Sequence, residues 1–191
     1  MNELFPIFLK VHQLDILLIG GGEVAEEKLH FLLKSSPNAN VQIVAKEVSL
    51  EIDKIVIENT NVNLVVRPFE SADLKGKQLV IAATNNPRFN DELRALTKQK
   101  GILLNVADKA QLCDFYLGGI VTKGDLKLAI STNGSSPILA KRLRQFLENE
   151  IPNEFEKAME LTAQLRKKLK GSFKNKLKEL NQLTQTLIQN D

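Results

Sequence analysis

The sequence predicts an α/β fold: a doubly wound parallel sheet, then a short mixed segment, then a helical region. Three observations carry that prediction. From Leu14 to Val106, short apolar runs bounded by turn residues alternate with segments of helical periodicity. Such alternation is the pattern of a parallel sheet covered by helices. The runs are almost continuously apolar, as strands buried on both faces must be. After Asp108 the alternation stops, and strand-like runs followed by helical segments take its place.

Each element has its own signal. Leu14–Ile19 (LDILLI) is an apolar run stopped by Gly20-Gly21-Gly22, a strand running into a glycine turn. Glu23–Lys34 carries Val24, Leu29, Leu32 and Leu33 at helical spacing, and Ser35-Ser36-Pro37-Asn38 breaks it. Val41–Ala45 is a second strand, Leu50–Glu58 a second helix and Val62–Val66 a third strand. Ser71–Leu74 reads as a short helical turn, Leu79–Ala83 as a fourth strand and Thr84–Pro87 as a loop. Phe89–Lys100 is a helix stopped by Gly101, and Ile102–Val106 is a fifth strand. Crossovers between parallel strands are expected to be right-handed. Beyond Asp108, Phe115–Val121 and Leu126–Ser131 read as strands joined by a turn at Lys123-Gly124-Asp125. Ser136-Pro137 opens a helix to about Glu150, proline being favoured at the first helical position. Ile151-Pro152 interrupts it, and Glu154–Lys170 and Lys174 to about Gln189 are further helices.

Composition narrows the function classes. A charged fraction of 26% and a net charge of +3 are ordinary for a water-soluble chain and too weak to argue for nucleic acid. Aromatic residues make up 5% and tryptophan is absent, so a base-stacking surface is poorly supplied. No apolar run approaches the roughly 18 residues that would suggest a membrane span. The start, Met1–Pro6, has no basic region leading into a long apolar one, so no signal peptide is expected. A single cysteine, Cys113, fits a cytoplasmic protein and reads as a small buried hydrophobe. His12 and His30 are isolated, and no His/Cys/Asp cluster has metal-ligand spacing. From Arg166 to Lys178 (RKKLKGSFKNKLK) basic residues occur without acidic ones. That segment is either a solvated helix face or a positive field that gathers an anionic substrate.

The chemistry begins at Gly20-x-Gly22-x-x-Ala25, placed directly after a strand and opening a helix. This is the context in which such a glycine motif means a Rossmann-type dinucleotide site. Gly20 permits the tight turn, Gly22 lets the backbone approach a pyrophosphate, and Ala25 allows close helix–strand packing. The phosphates then meet helix N-terminal amides, which extends the expected contacts to Gly21, Glu23 and Val24. Glu47, at the end of the second strand, is placed to bind ribose hydroxyls, which favours NAD; its neighbour Lys46 would favour the extra phosphate of NADP. NAD is the expected cofactor. Thr84, Asn85 and Asn105 follow or end the fourth and fifth strands, where ligands of such sheets bind. Asn86 in the same loop reads rather as a turn former. Asp108 follows the fifth strand at the same edge and can take a proton as a substrate loses hydride, with Asp114 as the local competitor.

These segments resemble a known family. Leu4–Leu9, Leu18–Lys28 (LIGGGEVAEEK), Val44–Glu47, Val80–Asn86 with Asn90, and Asn105–Asp108 are similar to precorrin-2 dehydrogenases, the N-terminal part of siroheme synthases. The stretch Ala129–Ala140 (AISTNGSSPILA) is the most specific, since an ordinary nicotinamide dehydrogenase has no need of it. The resemblance covers about Leu4–Pro152 and implies oxidation of a tetrapyrrole, precorrin-2, to sirohydrochlorin with hydride passing to NAD; some members also insert iron. It implies a homodimer paired through the segment after the Rossmann domain, and hence three parts: residues 1–113 binding NAD, 114–150 dimerising and 151–191 helical. It places Asp108 on the family's functional aspartate and implies substrate contacts from Ser131, Thr132 and Asn133; Lys167 and Lys168 are expected substrate contacts on the charge of the basic segment alone. Lys46, Lys109 and Gly118-Gly119 depart from the family pattern, which often has proline, an acidic residue and proline there. The fused members' methyltransferase domain has no counterpart here, so methylation is expected on another polypeptide. A non-catalytic NAD-binding regulatory module is the alternative function, and it would have no need of Asp108.

Overall fold

A computed structural model describes residues 3–152, 154–168 and 181. Among them, β1 (Asp15–Ile19), β2 (Asn40–Ala45), β3 (Val62–Val66), β4 (Leu79–Ala82) and β5 (Leu103–Val106) form one parallel sheet in the order β3-β2-β1-β4-β5. Helices α1 (Glu23–Ser35), α2 (Leu50–Glu58) and α3 (Pro87–Lys100) supply the connections, with a short 3-10 turn, Ser71–Leu74, between β3 and β4. Because strand side chains alternate, the sheet has two cores. One face buries Ile16, Leu18, Val41, Ile43, Leu79 and Ile81 against Ala25, Leu29 and Leu32 of α1 and Ile52 and Ile55 of α2. The other buries Leu17, Ile19, Val44, Val80, Leu104 and Val106 against Leu93 of α3 and Leu74. This is the doubly wound arrangement expected of near-continuous apolar strands.

The chain divides into two compact units: residues up to Gly118 with Asn133–Ser135, and Gly119–Thr132 with the residues from Ser136 onward. The second contains an antiparallel pair, β6 (Gly119–Lys123) and β7 (Leu126–Ile130), with α4 (Pro137–Glu150) packed on it, and α5 (Glu154–Lys168). Gly124, at a φ of +55°, turns the hairpin between Lys123 and Leu126. The helix expected over Lys174–Gln189, and the last two residues of that expected to Lys170, lie outside the described residues apart from Asn181.

Two elements differ from expectation. The strand expected over Phe115–Val121 runs instead from Gly119 to Lys123. Phe115 and Leu117 are apolar because they pack against the first core of the sheet, as an extended return segment rather than a ladder. The helix expected from Phe89 starts at Pro87, where the Asn86 side chain accepts from the amide of Phe89 at 3.2 Å. Asn86 is therefore an N-cap followed by proline, the same device as Ser136-Pro137, whose serine accepts from the Leu139 amide at 3.4 Å.

Candidate functional site

All five strands run parallel, so their carboxyl ends share one edge. Gly20, Lys46, Thr84 and Ala107 follow β1, β2, β4 and β5 at that edge. The ladder carries on past the strands there. The amide of Gly20 donates to Val44 (3.0 Å), that of Ala83 to Ile19 (2.8 Å) and that of Ala107 to Ala82 (2.9 Å). The glycine turn thus lies beside both the β2 exit and the β4 exit, where strand order reverses about β1. That reversal is where open α/β sheets bind ligands.

The glycines differ in what they do. Gly20 has a φ of +120°, and a Cβ there would strike the carbonyl of Ala83. Gly21 is buried, and a Cβ there would collide with the carbonyl oxygen of Glu47. Gly22 is exposed, with open space where a Cβ would stand. It is the N-cap of α1, and no side chain caps that helix. Helix N-terminal amides with open space before them are what a phosphate group needs. Glu23 and Val24 are exposed in this first turn and Ala25 is fully buried against the sheet. The carboxylate of Glu26, also in this turn, is drawn aside by the Ser49 hydroxyl at 2.8 Å, while the Ser49 amide donates to Gly21 O at 2.8 Å. Ser49 carries no motif in the sequence, its only hint being serine at the N-cap of α2, whereas Glu26 stands inside the Leu18–Lys28 stretch.

Lys46 and Glu47 are both exposed after β2. The Thr84 hydroxyl donates to the side-chain oxygen of Asn90 at 2.5 Å, and the Asn90 amide returns a bond to Thr84 O at 3.2 Å. Asn90 is buried, and its helical spacing with buried Leu93 and Thr97 is the sequence signal for this bolt between α3 and the β4 exit. Asn85 is exposed. The Asn105 amide group donates to Phe115 O at 2.8 Å, so its nitrogen serves the fold.

The two aspartates separate cleanly. Asp114 accepts from Arg94 Nη1 and, at 3.0 Å, from the Leu104 amide. The Arg94 guanidinium, with help from that amide and against partial burial, holds its carboxyl below the usual range. Asp108 is exposed, sits at a φ of +58°, and its carboxylate has no hydrogen bond or ion pair among the described residues. Asp114 is thus held by the fold through Oδ2, whereas no bond of this kind holds Asp108 among the described residues. Cys113 is half-buried rather than a plain core residue: its sulfur meets Val106 N (3.2 Å), Val106 O and Lys109 O (both 3.3 Å). Burial raises its pKa, which keeps it a thiol.

In the second unit, Ser131 follows β7 and is exposed, and the half-buried Thr132 accepts from the Ser136 amide at 3.2 Å. Asn133, grouped with the first unit, is exposed with a φ of +53°. Lys167 and Lys168 are exposed in the last turn of α5.

Residues 7–119, more than half of the chain, match the family described as "Putative NAD(P)-binding". The chain belongs to that NAD(P)-binding family. Residues 123–150 match "Sirohaem biosynthesis protein central". Among curated relatives, the siroheme synthase of Vesicomyosocius okutanii is 36% identical over 173 residues, covering 91% of this chain and 36% of that protein. The siroheme synthase of Ruthia magnifica is 35% identical over 175 residues, and that of Nitrosomonas europaea 33% over 171. The chain thus spans about a third of the length of these relatives. A solved structure, "SirC, precorrin-2 dehydrogenase", shares the fold with a TM-score of 0.71 at 24% identity, over 94% of this chain and 89% of that one. For a member of the NAD(P)-binding family, the open space at Gly22 and the uncapped start of α1 fit a pyrophosphate. No helix among the described residues is long and apolar enough to cross a membrane.

Proposed function

We propose that this chain is a cytoplasmic, NAD-dependent precorrin-2 dehydrogenase that yields sirohydrochlorin. The observation that supports it best is a conjunction at one sheet edge. A glycine turn with space for a pyrophosphate and an exposed Asp108, without a partner among the described residues, both stand at the carboxyl ends of the strands. The matched family descriptions and the siroheme synthase relatives support the choice of substrate.

In this reading the backbone from Gly20 to Ala25 holds the pyrophosphate, and Glu47 accepts from the adenosine ribose hydroxyls, with Lys46 beside it. Thr84, Asn85 and Asn105 border the nicotinamide end. NAD supplies the hydride acceptor. Asp108 takes the proton that leaves as the substrate loses hydride, so that two hydrogens depart as one hydride and one proton. The exposure of its carboxylate, with no partner among the described residues, leaves it able to do so. Ser131, Thr132 and Asn133 are proposed substrate contacts supported by the sequence resemblance, and Lys167 and Lys168 are proposed ones supported by charge complementary to a polycarboxylate. Residues 1–113 would serve the cofactor, 114–150 subunit pairing and 151–191 a helical domain. The exposed Ile138, Leu139, Leu143 and Phe146 of α4 support a homodimer.

The test is an anaerobic assay of the purified chain with precorrin-2 and either NAD or NADP, followed by addition of ferrous or cobaltous ion. NADH formation in step with sirohydrochlorin is expected, and Asp108→Ala should reduce turnover by about 10²–10⁴-fold while NAD affinity holds. Metal incorporation in the second step would add chelatase activity. NAD binding without any turnover of precorrin-2 would overturn the proposal in favour of a regulatory module.

A further inference from the structure

β5 is an edge strand, yet its outer edge is occupied. The amides of Leu103 and Ala107 donate inward, to Gln78 O and Ala82 O, so those of Leu104 and Val106 face outward. An outward amide on an edge strand normally meets water or another strand. Here the chain returns and stitches itself on. The Leu104 amide donates to Asp114 Oδ2 at 3.0 Å, and the Asp114 amide donates to Leu104 O at 2.7 Å. The Val106 amide donates to Cys113 Sγ at 3.2 Å, and the Asn105 side chain donates to Phe115 O at 2.8 Å. Arg94, reaching from α3, holds the Asp114 carboxylate in place.

The stitches close a loop, and Asp108 is in it. The Cys113 sulfur lies 3.3 Å from the carbonyl oxygens of both Val106 and Lys109, which bracket Asp108. A thiol has one proton, which the two carbonyls share, while the Val106 amide points at the sulfur. Asp108 itself is left-handed at a φ of +58°, a conformation aspartate adopts more readily than most residues with a Cβ. Its carboxylate meets no partner among the described residues, on a turn whose backbone is pinned on both sides.

We propose that Cys113 and Asp114 form a clasp on the outer edge of β5 that fixes the Asp108 turn, making both positioning residues for the dehydrogenase reaction. The inference rests on the reading of Asp108 as the functional carboxylate. Burial keeps Cys113 protonated and Arg94 keeps Asp114 ionised, so the donor and acceptor roles match the two groups.

The experiment uses the full chain and three substitutions: Cys113→Ala, Cys113→Ser and Asp108→Ala, the first also combined with the third. Cys113→Ala is expected to lower kcat by about 10- to 100-fold, the scale of a misplaced reacting group, with the Kd for NAD unchanged. Cys113→Ser, which keeps a donor and an acceptor, should recover most of that loss. In the Asp108→Ala background Cys113→Ala should cost nothing further, because the clasp acts only through Asp108. Amide exchange over residues 108–112 should rise in Cys113→Ala while the melting temperature holds. An equal loss of kcat with and without Asp108 overturns the proposal, as does unchanged exchange in the turn. A fully active Asp108→Ala protein instead overturns the reading beneath it; the exchange data then still report whether the clasp holds the turn. If Cys113→Ala fails to fold, Asp114→Asn, which keeps the shape but weakens the hold of Arg94, is expected to show the same pattern more mildly, and its absence overturns the proposal.

Discussion

A side chain at Gly22 would project into open space, whereas one at Gly21 would strike the Glu47 carbonyl. Gly22→Val is therefore expected to leave the melting temperature near the parent's while calorimetric titration shows NAD binding reduced at least tenfold, the pyrophosphate having lost its approach. Gly21→Ala should do the opposite first: destabilise by about 1–3 kcal/mol through a clash with backbone that cannot step aside, read by denaturant unfolding. Asp73 offers a separate test by pH. It is buried, and its carboxylate takes two bonds from Arg67 (2.9 and 2.5 Å) and one from the Glu70 amide at 2.9 Å. The Arg67 bonds, against burial, hold its pKa below the ordinary 3.8. A depressed folded pKa contributes stability that is present above the unfolded value and lost as pH falls through the folded one. The parent should thus lose stability on acidification below about pH 4, the unfolded carboxyl range. Asp73→Asn should melt lower at neutral pH and show a flatter acid limb.

At the scale of elements, α3 shows how the sheet edge is built. Its N-cap, Asn86, starts the helix immediately after the β4 exit, and buried Asn90, Leu93 and Thr97 face the sheet. Asn90 bonds back to Thr84, Thr97 to its own helix at Leu93 O (3.0 Å), and Gly101 ends the helix in the left-handed region. Asn86→Ala removes the cap and should cost about 1 kcal/mol, while Leu93→Ala opens a cavity in a fully buried site and should cost about 2–5 kcal/mol. Both are measured by chemical unfolding. A cost at Asn86 near zero would mean that the proline at the first position starts the helix unaided.

For the molecule as a whole, the apolar face of α4 is an uncovered feature of the second unit. Leu139, Leu143 and Phe146 recur at helical spacing and are 60%, 47% and 57% exposed. The proposed dimer covers them by symmetry, the commonest solution for soluble oligomers. Light scattering at micromolar concentration should then give twice 21.4 kDa, and Leu143→Glu should give the monomer mass with the fold retained. A monomer from the parent chain would refute the pairing.

Much of this was legible in the sequence, because it depends on neighbours along the chain. Apolar runs of strand length, helical spacing, the glycine turn after β1 and the proline at the start of α4 are local signals, and the structure places elements where they stand. The start of α3 was legible too in principle, since Asn86-Pro87 is the same signal as Ser136-Pro137; the turn-forming habit of Asn85-Asn86 conceals it. Asp108 could be picked out as a carboxylate at the end of β5, and the family resemblance favoured it over Asp114, but the surroundings of the two could not be read. Only the return of the chain along β5 brings Asp114 to Arg94 and the Leu104 amide, while among the described residues the Asp108 carboxylate meets no partner, which supports the proposed role. The same holds for Phe115 and Leu117, apolar for the sake of a core and not of a ladder, and for Gly21, whose constraint is a carbonyl from another loop. Side-chain bonds to a strand edge, and contacts between loops brought together by a parallel sheet, have no period along the sequence. They exist only after crossover connections have set distant segments side by side.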